Sequence, residues 1–155
     1  MKKILTLFFL STCCIMGGQA QTFVANDGVK YELCNNVCQA VGVEENKLPS
    51  DGVITILKSV NIEGTDYDVT RIAGGQDDKL SDKKGDEFGA FGGSSEAPCD
   101  KVKGVKFADG SEVTKIGDHA FRFCTNLLSI ENLPATLTEI GGYCFEASQL
   151  NGIDL

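Results

Sequence analysis

The chain has 155 residues, 42% hydrophobic and 23% charged, with 22 acidic against 14 basic side chains and a net charge of −8. That length bounds the protein to one compact domain or a short repeat array. The acidity argues against nucleic-acid backbones and anionic lipid surfaces as partners, since like charges repel, and solubility alone is reason enough for it.

Residues 1–20 have the form of an export signal peptide. Lys2 and Lys3 give a positive start, and Ile4 to Met16 is nearly unbroken apolar sequence too short to span a bilayer comfortably. Gly18-Gln19-Ala20 places small residues at a cleavage site, so the mature chain is expected to begin at Gln21 with a net charge of −10. An alternative is a lipoprotein signal at Leu10-Ser11-Thr12-Cys13, with Cys13 as lipid carrier, although Thr12 is bulky for that place. No later segment is long and apolar enough to cross a membrane. The predicted location is periplasmic, secreted or at the cell surface.

Residues 21–68 read as β structure. Val29-Lys30-Tyr31-Glu32-Leu33 alternates after an Asn26-Asp27-Gly28 turn, and Val53-Ile54-Thr55-Ile56-Leu57 is rich in β-branched residues. Val60 to Ile62 and Tyr67 to Ile72 flank Glu63-Gly64-Thr65-Asp66, a hairpin turn, and Asn46 to Gly52 is a loop. Cys34-Asn35-Asn36-Val37-Cys38 is the candidate disulfide. An Asn-Asn turn would bring the two α-carbons within bridging range.

From residue 69 onward the chain repeats. Val69-Thr70-Arg71-Ile72 returns as Val113-Thr114-Lys115-Ile116 and again as Leu137-Thr138-Glu139-Ile140. Ile116-Gly117 and Phe121 return 24 residues later as Ile140-Gly141 and Phe145. The units are an interrupted repeat at 69–107, a repeat at 113–134 and an incomplete repeat at 137–155. The first carries insertions at roughly 73–88 and 92–98. A fixed period of this size predicts a solenoid, in which each unit buries its apolar edge only against its neighbours. Ile116 should lie over Ile140 and Phe121 over Phe145. Gly117 and Gly141 suit corners that need positive φ or close backbone approach. Pro134 should end the strand before it. Cys99 and Cys124 share one repeat position, so they should meet inside as reduced thiols, with a bridge as the alternative.

The combination of Ile-Gly, Ala-Phe, Cys and Leu-Pro at fixed offsets resembles the BspA-like leucine-rich repeats of bacterial surface proteins. Leu133-Pro134-Ala135-Thr136-Leu137-Thr138-Glu139-Ile140-Gly141-Gly142-Tyr143-Cys144-Phe145 follows that unit, with Cys144 in the Ala place. The resemblance is strong over 113–155 and fair over 60–107. The expected fold is mainly β with very little helix: a short leucine-rich-repeat solenoid whose open start is covered by the β-strand cap at 21–68. Single helical turns are expected only around Asp118–Phe123 and Gly142–Ala147. The resemblance implies protein–protein or host-matrix adhesion.

Chemistry is scarce. His119, the only histidine, is five residues from Cys124, but the repeat turns one outward and the other inward. Ser94 lacks a nucleophile elbow, and no phosphate loop or dinucleotide fingerprint is present. The insertion at 77–87 holds five carboxylates but does not fit a calcium loop, because Asp82 stands where its glycine belongs. No cofactor, metal or enzymatic activity is predicted. The candidate binding face is the outer side of a short parallel sheet made by the Leu-x-x-Ile segments. There Lys106, Glu131 and Asp154 align after the inward residue, and Gly104, Ser129 and Gly152 before it. The last repeat ends without a polar terminal unit, which suggests weak self-association through that end. The function read from the sequence is an exported, adhesin-like binding module for host-matrix or envelope proteins. Its alternatives are a remnant of a larger adhesin and a small secreted hydrolase.

Overall fold

The computed structural model describes residues 21–75 and 89–151. The expected signal with Cys13, the carboxylate-rich insertion and residues 152–155, including Asp154, lie outside the described residues.

Among the described residues ten strands run in chain order: β1 (Gln21–Val24), β2 (Val29–Cys34), β3 (Val37–Val43), β4 (Val53–Ile56), β5 (Ser59–Ile62), β6 (Thr65–Ile72), β7 (Gly104–Phe107), β8 (Lys115–Ile116), β9 (Ser129–Glu131) and β10 (Glu139–Ile140). The larger sheet has the order β1-β2-β3-β6-β8-β10, with β5 paired beside β6. The smaller is β4-β7-β9 and is parallel throughout. Both turn their apolar residues into one core, with Ile72 and Ile116 from the larger sheet and Ile54 and Val105 from the smaller.

The N-terminal strands are joined by tight turns that the local residues dictate. Asn35 and Asn36 both take positive φ (49° and 64°), as a two-residue turn matching strand twist requires. Glu63 and Gly64 do the same at 52° and 87°, so the second hairpin turns on two residues and β6 begins at Thr65. The hairpin β1-β2 continues through β3 into the repeats, because β3 pairs in parallel with β6. β4 likewise pairs in parallel with β7. β3 and β4 therefore supply a first rung below the three sequence repeats.

β4 is an edge strand, and its exposed backbone groups are satisfied by side chains. Asp27 Oδ2 accepts from Thr55 N at 2.7 Å. The fully buried Tyr31 hydroxyl donates to Thr55 O at 3.2 Å and accepts from Leu57 N at 2.8 Å. The turn and strand that supply Asp27 and Tyr31 thus close an edge that would otherwise offer itself for pairing.

Successive coils superpose as the repeat predicts. Ile72, Ile116 and Ile140 are register partners across β6, β8 and β10. Phe91, Phe121 and Phe145 stack with centroids 5.0 Å and 5.6 Å apart. A fully buried side chain of this kind contributes about 1.5–3 kcal/mol. The repeated threonine has its own role: Thr114 Oγ1 donates to Thr70 O, and Thr138 Oγ1 to Thr114 O, each at 3.2 Å. Gly117 and Gly141 serve close approach, not positive φ. A Cβ on Gly117 would lie 2.3 Å from Gly74 N, and one on Gly141 2.4 Å from Asp118 N.

The helical turns expected at 118–123 and 142–147 are successive tight turns instead. Arg122 N bonds to His119 O and Cys124 N to Phe121 O. His119 and Phe123, and their counterparts Tyr143 and Ala147, all take left-handed φ of 53–59°, which an α-helix cannot contain. Helix among the described residues is one 3-10 turn at Glu45–Lys47, at the start of the expected loop.

Candidate interaction surface

In the small sheet, Ile54, Val105 and Ile130 are register partners packed on or in the core. Side chains alternate along a strand, so their neighbours face outward. Two outward rows result: Val53, Gly104 and Ser129, and beside it Thr55, Lys106 and Glu131. A Cβ on Gly104 would meet Val53 Cγ2 at 3.3 Å and Ser129 Oγ at 3.0 Å, which places those side chains on one face. Three sequence-predicted residues are thus brought together: Lys106 and Glu131 as exposed neighbours, and Ser129 half-buried next to Gly104. Leu128, immediately before β9, adds an apolar side chain 59% exposed.

Cys34 and Cys38 do not form the expected bridge, and both thiols are free. The spacing was suitable, but the hairpin register sets the parity. Cys34 lies opposite Val37, and Cys38 opposite Leu33, so the two side chains leave opposite faces of the sheet. Burial pushes the Cys38 thiol up to about 12.

The other thiols gather inside the solenoid. Cys124 is fully buried and its Sγ lies 3.1 Å from Phe91 O, a carbonyl of the preceding coil. It also hydrogen-bonds Cys99, the half-buried thiol at the same repeat position. That bond holds Cys99 down at about 7, against the effect of burial and with help from the backbone at Val102 and Lys101. The same bond and burial push Cys124 far up, and burial pushes Cys144 up to about 12. His119 is not part of this group. Its ring stacks on Tyr143, with centroids 5.5 Å apart and planes within 8°.

That ring pair marks a second surface that the sequence reading passed over. Tyr143 is 68% exposed. Arg122 lies on the Phe123 ring and bonds Glu146 of the next coil. The signal available in the sequence was the 24-residue offset itself, which aligns His119 with Tyr143 and Arg122 with Glu146. Among the described residues no group of three or more His, Cys, Asp or Glu gathers as a metal ion would need. No helix among them is long and apolar enough to cross a membrane.

Comparison with known proteins agrees with this geometry. Residues 96–155 match the family described as BspA type leucine rich repeat region (6 copies). Over that stretch the repeats match the BspA type. Three solved structures share the fold. A leucine-rich repeat protein from Bacteroides capillosus ATCC 29799 is 20% identical with a TM-score of 0.54, covering 84% of this chain and 95% of that one. A leucine-rich repeat protein from Bacteroides ovatus ATCC 8483 is 23% identical with a TM-score of 0.53, covering 81% of this chain and 33% of that one. A leucine rich cell surface protein from Faecalibacterium prausnitzii A2-165 is 21% identical with a TM-score of 0.50, covering 78% of this chain and 26% of that one. The chain thus spans a third or less of the latter two. No curated protein matches the sequence.

Proposed function

We propose that this chain is an exported binding module whose ligand is a host-matrix or envelope protein, held on the outer face of the small sheet. The repeat class is consistent with a protein-interaction module. The observation that carries the reading is the row Thr55, Lys106 and Glu131. It is a set of polar side chains on the outer face of a parallel sheet whose inward neighbours Ile54, Val105 and Ile130 pack on the core. Asp154 would extend that row by one coil. Residues 1–20 serve export and 21–68 act as the cap. The mass of the purified protein tests cleavage before Gln21 and would reveal lipid at Cys13.

Surface plasmon resonance of residues 21–155 over immobilised extracellular-matrix and envelope proteins tests binding. Lys106→Glu with Glu131→Lys should weaken capture at least tenfold while leaving the fold intact. Unchanged capture by that variant rules out this face. A second reading rests on the exposed Tyr143 and on Arg122, residue types enriched at binding hot spots. If Tyr143→Ala abolishes capture and the charge swap does not, the corner is the site. The same end of the stack, where Ile140 is 37% exposed, is the surface we assign to weak self-association. A strictly monomeric species by light scattering at high concentration removes that assignment.

A further inference from the structure

Cys99 and Cys124 stand on adjacent coils with unequal environments. Cys99 is half-buried and sits just after the loop at 92–98, next to the backbone of Lys101 and Val102. Cys124 is sealed in the core, with its Sγ 3.1 Å from Phe91 O and the Cys99 thiol hydrogen-bonded beside it. Cys99 N bonds to Phe123 O at 3.0 Å, which locks the two segments side by side. Neighbouring rungs of a parallel stack lie about 4.7–4.9 Å apart. A disulfide accepts α-carbon separations of about 4.4–6.8 Å. We propose that Cys99 and Cys124 form a redox-active dithiol, in which Cys99 attacks an incoming disulfide and Cys124 resolves it into a bridge between consecutive coils.

The chemistry balances as thiol–disulfide exchange. Cys99 thiolate attacks one sulfur of a disulfide RSSR, the S–S bond breaks, and RS⁻ leaves. The product is a mixed disulfide on Cys99. Cys124 gives its proton to the departed thiolate and attacks the Cys99 sulfur, expelling the second RS⁻, which takes the proton lost by Cys99. The protein loses two electrons and two protons, and RSSR becomes two RSH. The structure divides the roles. Only Cys99 reaches solvent, and a thiol that ionises near neutrality is the better attacking group. Cys124 is fully buried, out of reach of an incoming disulfide, so it acts only after the first step. Cys34 and Cys38 have no such arrangement, since they leave opposite faces of their sheet.

The test uses reduced residues 21–155 and glutathione disulfide. Trypsin with a glutamate-specific protease separates Cys124 from Cys144, because Glu131 and Glu139 lie between them. The parent should lose two of its five thiols without keeping glutathione, and the non-reduced digest should join the Cys99 peptide to the Cys124 peptide. Cys124→Ala should hold glutathione stably on Cys99, and Cys99→Ala should react at least tenfold more slowly. The bridged parent should melt at a higher temperature than the reduced parent. A stable glutathione adduct on Cys99 of the parent, a bridge between any other pair, or first reaction at Cys34 or Cys144 would each overturn the proposal. The parent digest decides the matter even if a variant fails to fold.

Discussion

Adding one methyl group at the Ile-Gly corner tests the stacking directly. In Gly117→Ala the new Cβ lies 2.3 Å from Gly74 N, 2.4 Å from Gly74 Cα and 3.0 Å from the Ala73 carbonyl carbon. All three are backbone atoms of the coil below, so no side chain can swing aside. Ordinary contact needs about 1 Å more, and the coils must part by that much. Two inter-coil bonds stand in the way, Gly117 N to Ile72 O at 2.9 Å and Thr114 N to Thr70 O at 2.8 Å. Stretching both past bonding range costs about 1 kcal/mol each. Loosened packing of Ile116 on Ile72 adds about 1–3 kcal/mol, the usual cost of forcing extra volume into a core. The expected loss is therefore about 3–5 kcal/mol, a large share of a typical stability of about 5–15 kcal/mol. Gly141→Ala, with contacts of 2.3–2.6 Å to Asp118 and Gly117, should behave alike. Gly142→Ala is the control, since its Cβ would meet nothing nearer than Asp118 Oδ1 at 3.8 Å. Urea unfolding followed by circular dichroism measures all three. If Gly117→Ala unfolds within 0.5 kcal/mol of the parent (roughly the scatter of a neutral surface change), the close-stacked corner is wrong.

Tyr31→Phe removes the hydroxyl that serves both Thr55 O and Leu57 N, and should cost about 2 kcal/mol in the same assay, since two backbone groups lose their partner. Stability should also fall on the alkaline side. The thiols of Cys38, Cys124 and Cys144 are all held above their ordinary value in the folded state, so the unfolded chain releases protons first. Their stabilisation is complete below the unfolded thiol range of about 8.5 and drains away as pH rises toward about 12, with a slope of about 1.4 kcal/mol per pH unit for each group. Replacing all three with Ala should flatten that part of the stability curve measured by urea titration. Glu63→Asn should raise stability by about 0.5–1 kcal/mol, seen as a higher Tm. Glu63 holds φ of 52° before Gly64, a place where Asn-Gly is the favoured pair.

The solenoid was legible because stacking writes itself directly into the sequence. A residue that touches its own counterpart one coil away must recur at a fixed offset, as Ile116 and Ile140 or Phe121 and Phe145 do. The parallel sheet of the Leu-x-x-Ile segments was legible for the same reason. The strands Lys115–Ile116 and Glu139–Ile140 were not, because two residues carry no alternation to read. Cys34 and Cys38 were misjudged because sequence spacing gives distance but not parity. The hairpin register alone decides which face each thiol takes. The roles of Asp27 and Tyr31 depend on where β4 lies, a long-range fact with no local signature. The corner rings were visible only as an outward, changing position. Both rings stand on a left-handed backbone, a conformation uncommon outside glycine.

The same logic separates structure from recognition on the outer surface. Charges that bind one coil to the next already have their partners: Lys115 bonds Glu139 at 3.0 Å, and Arg122 bonds Glu146. Those pairs sit at equivalent repeat positions and hold adjacent coils together, each contributing little alone because it is exposed. Lys106 and Glu131 are also register partners on adjacent coils, yet among the described residues they enter no salt bridge. Under the proposed binding role, a ligand that engages both must present a negative and a positive group about one rung spacing apart, roughly 5 Å. An extended peptide laid across the strands, with an acidic and a basic side chain two positions apart on one face (roughly 7 Å), comes near that geometry. A uniformly charged polymer does not, because one of the two protein charges would repel it. Binding through this face should therefore weaken with salt and should be lost to either single charge reversal, Lys106→Glu or Glu131→Lys, while a ligand held by apolar contact on Leu128 would respond to neither.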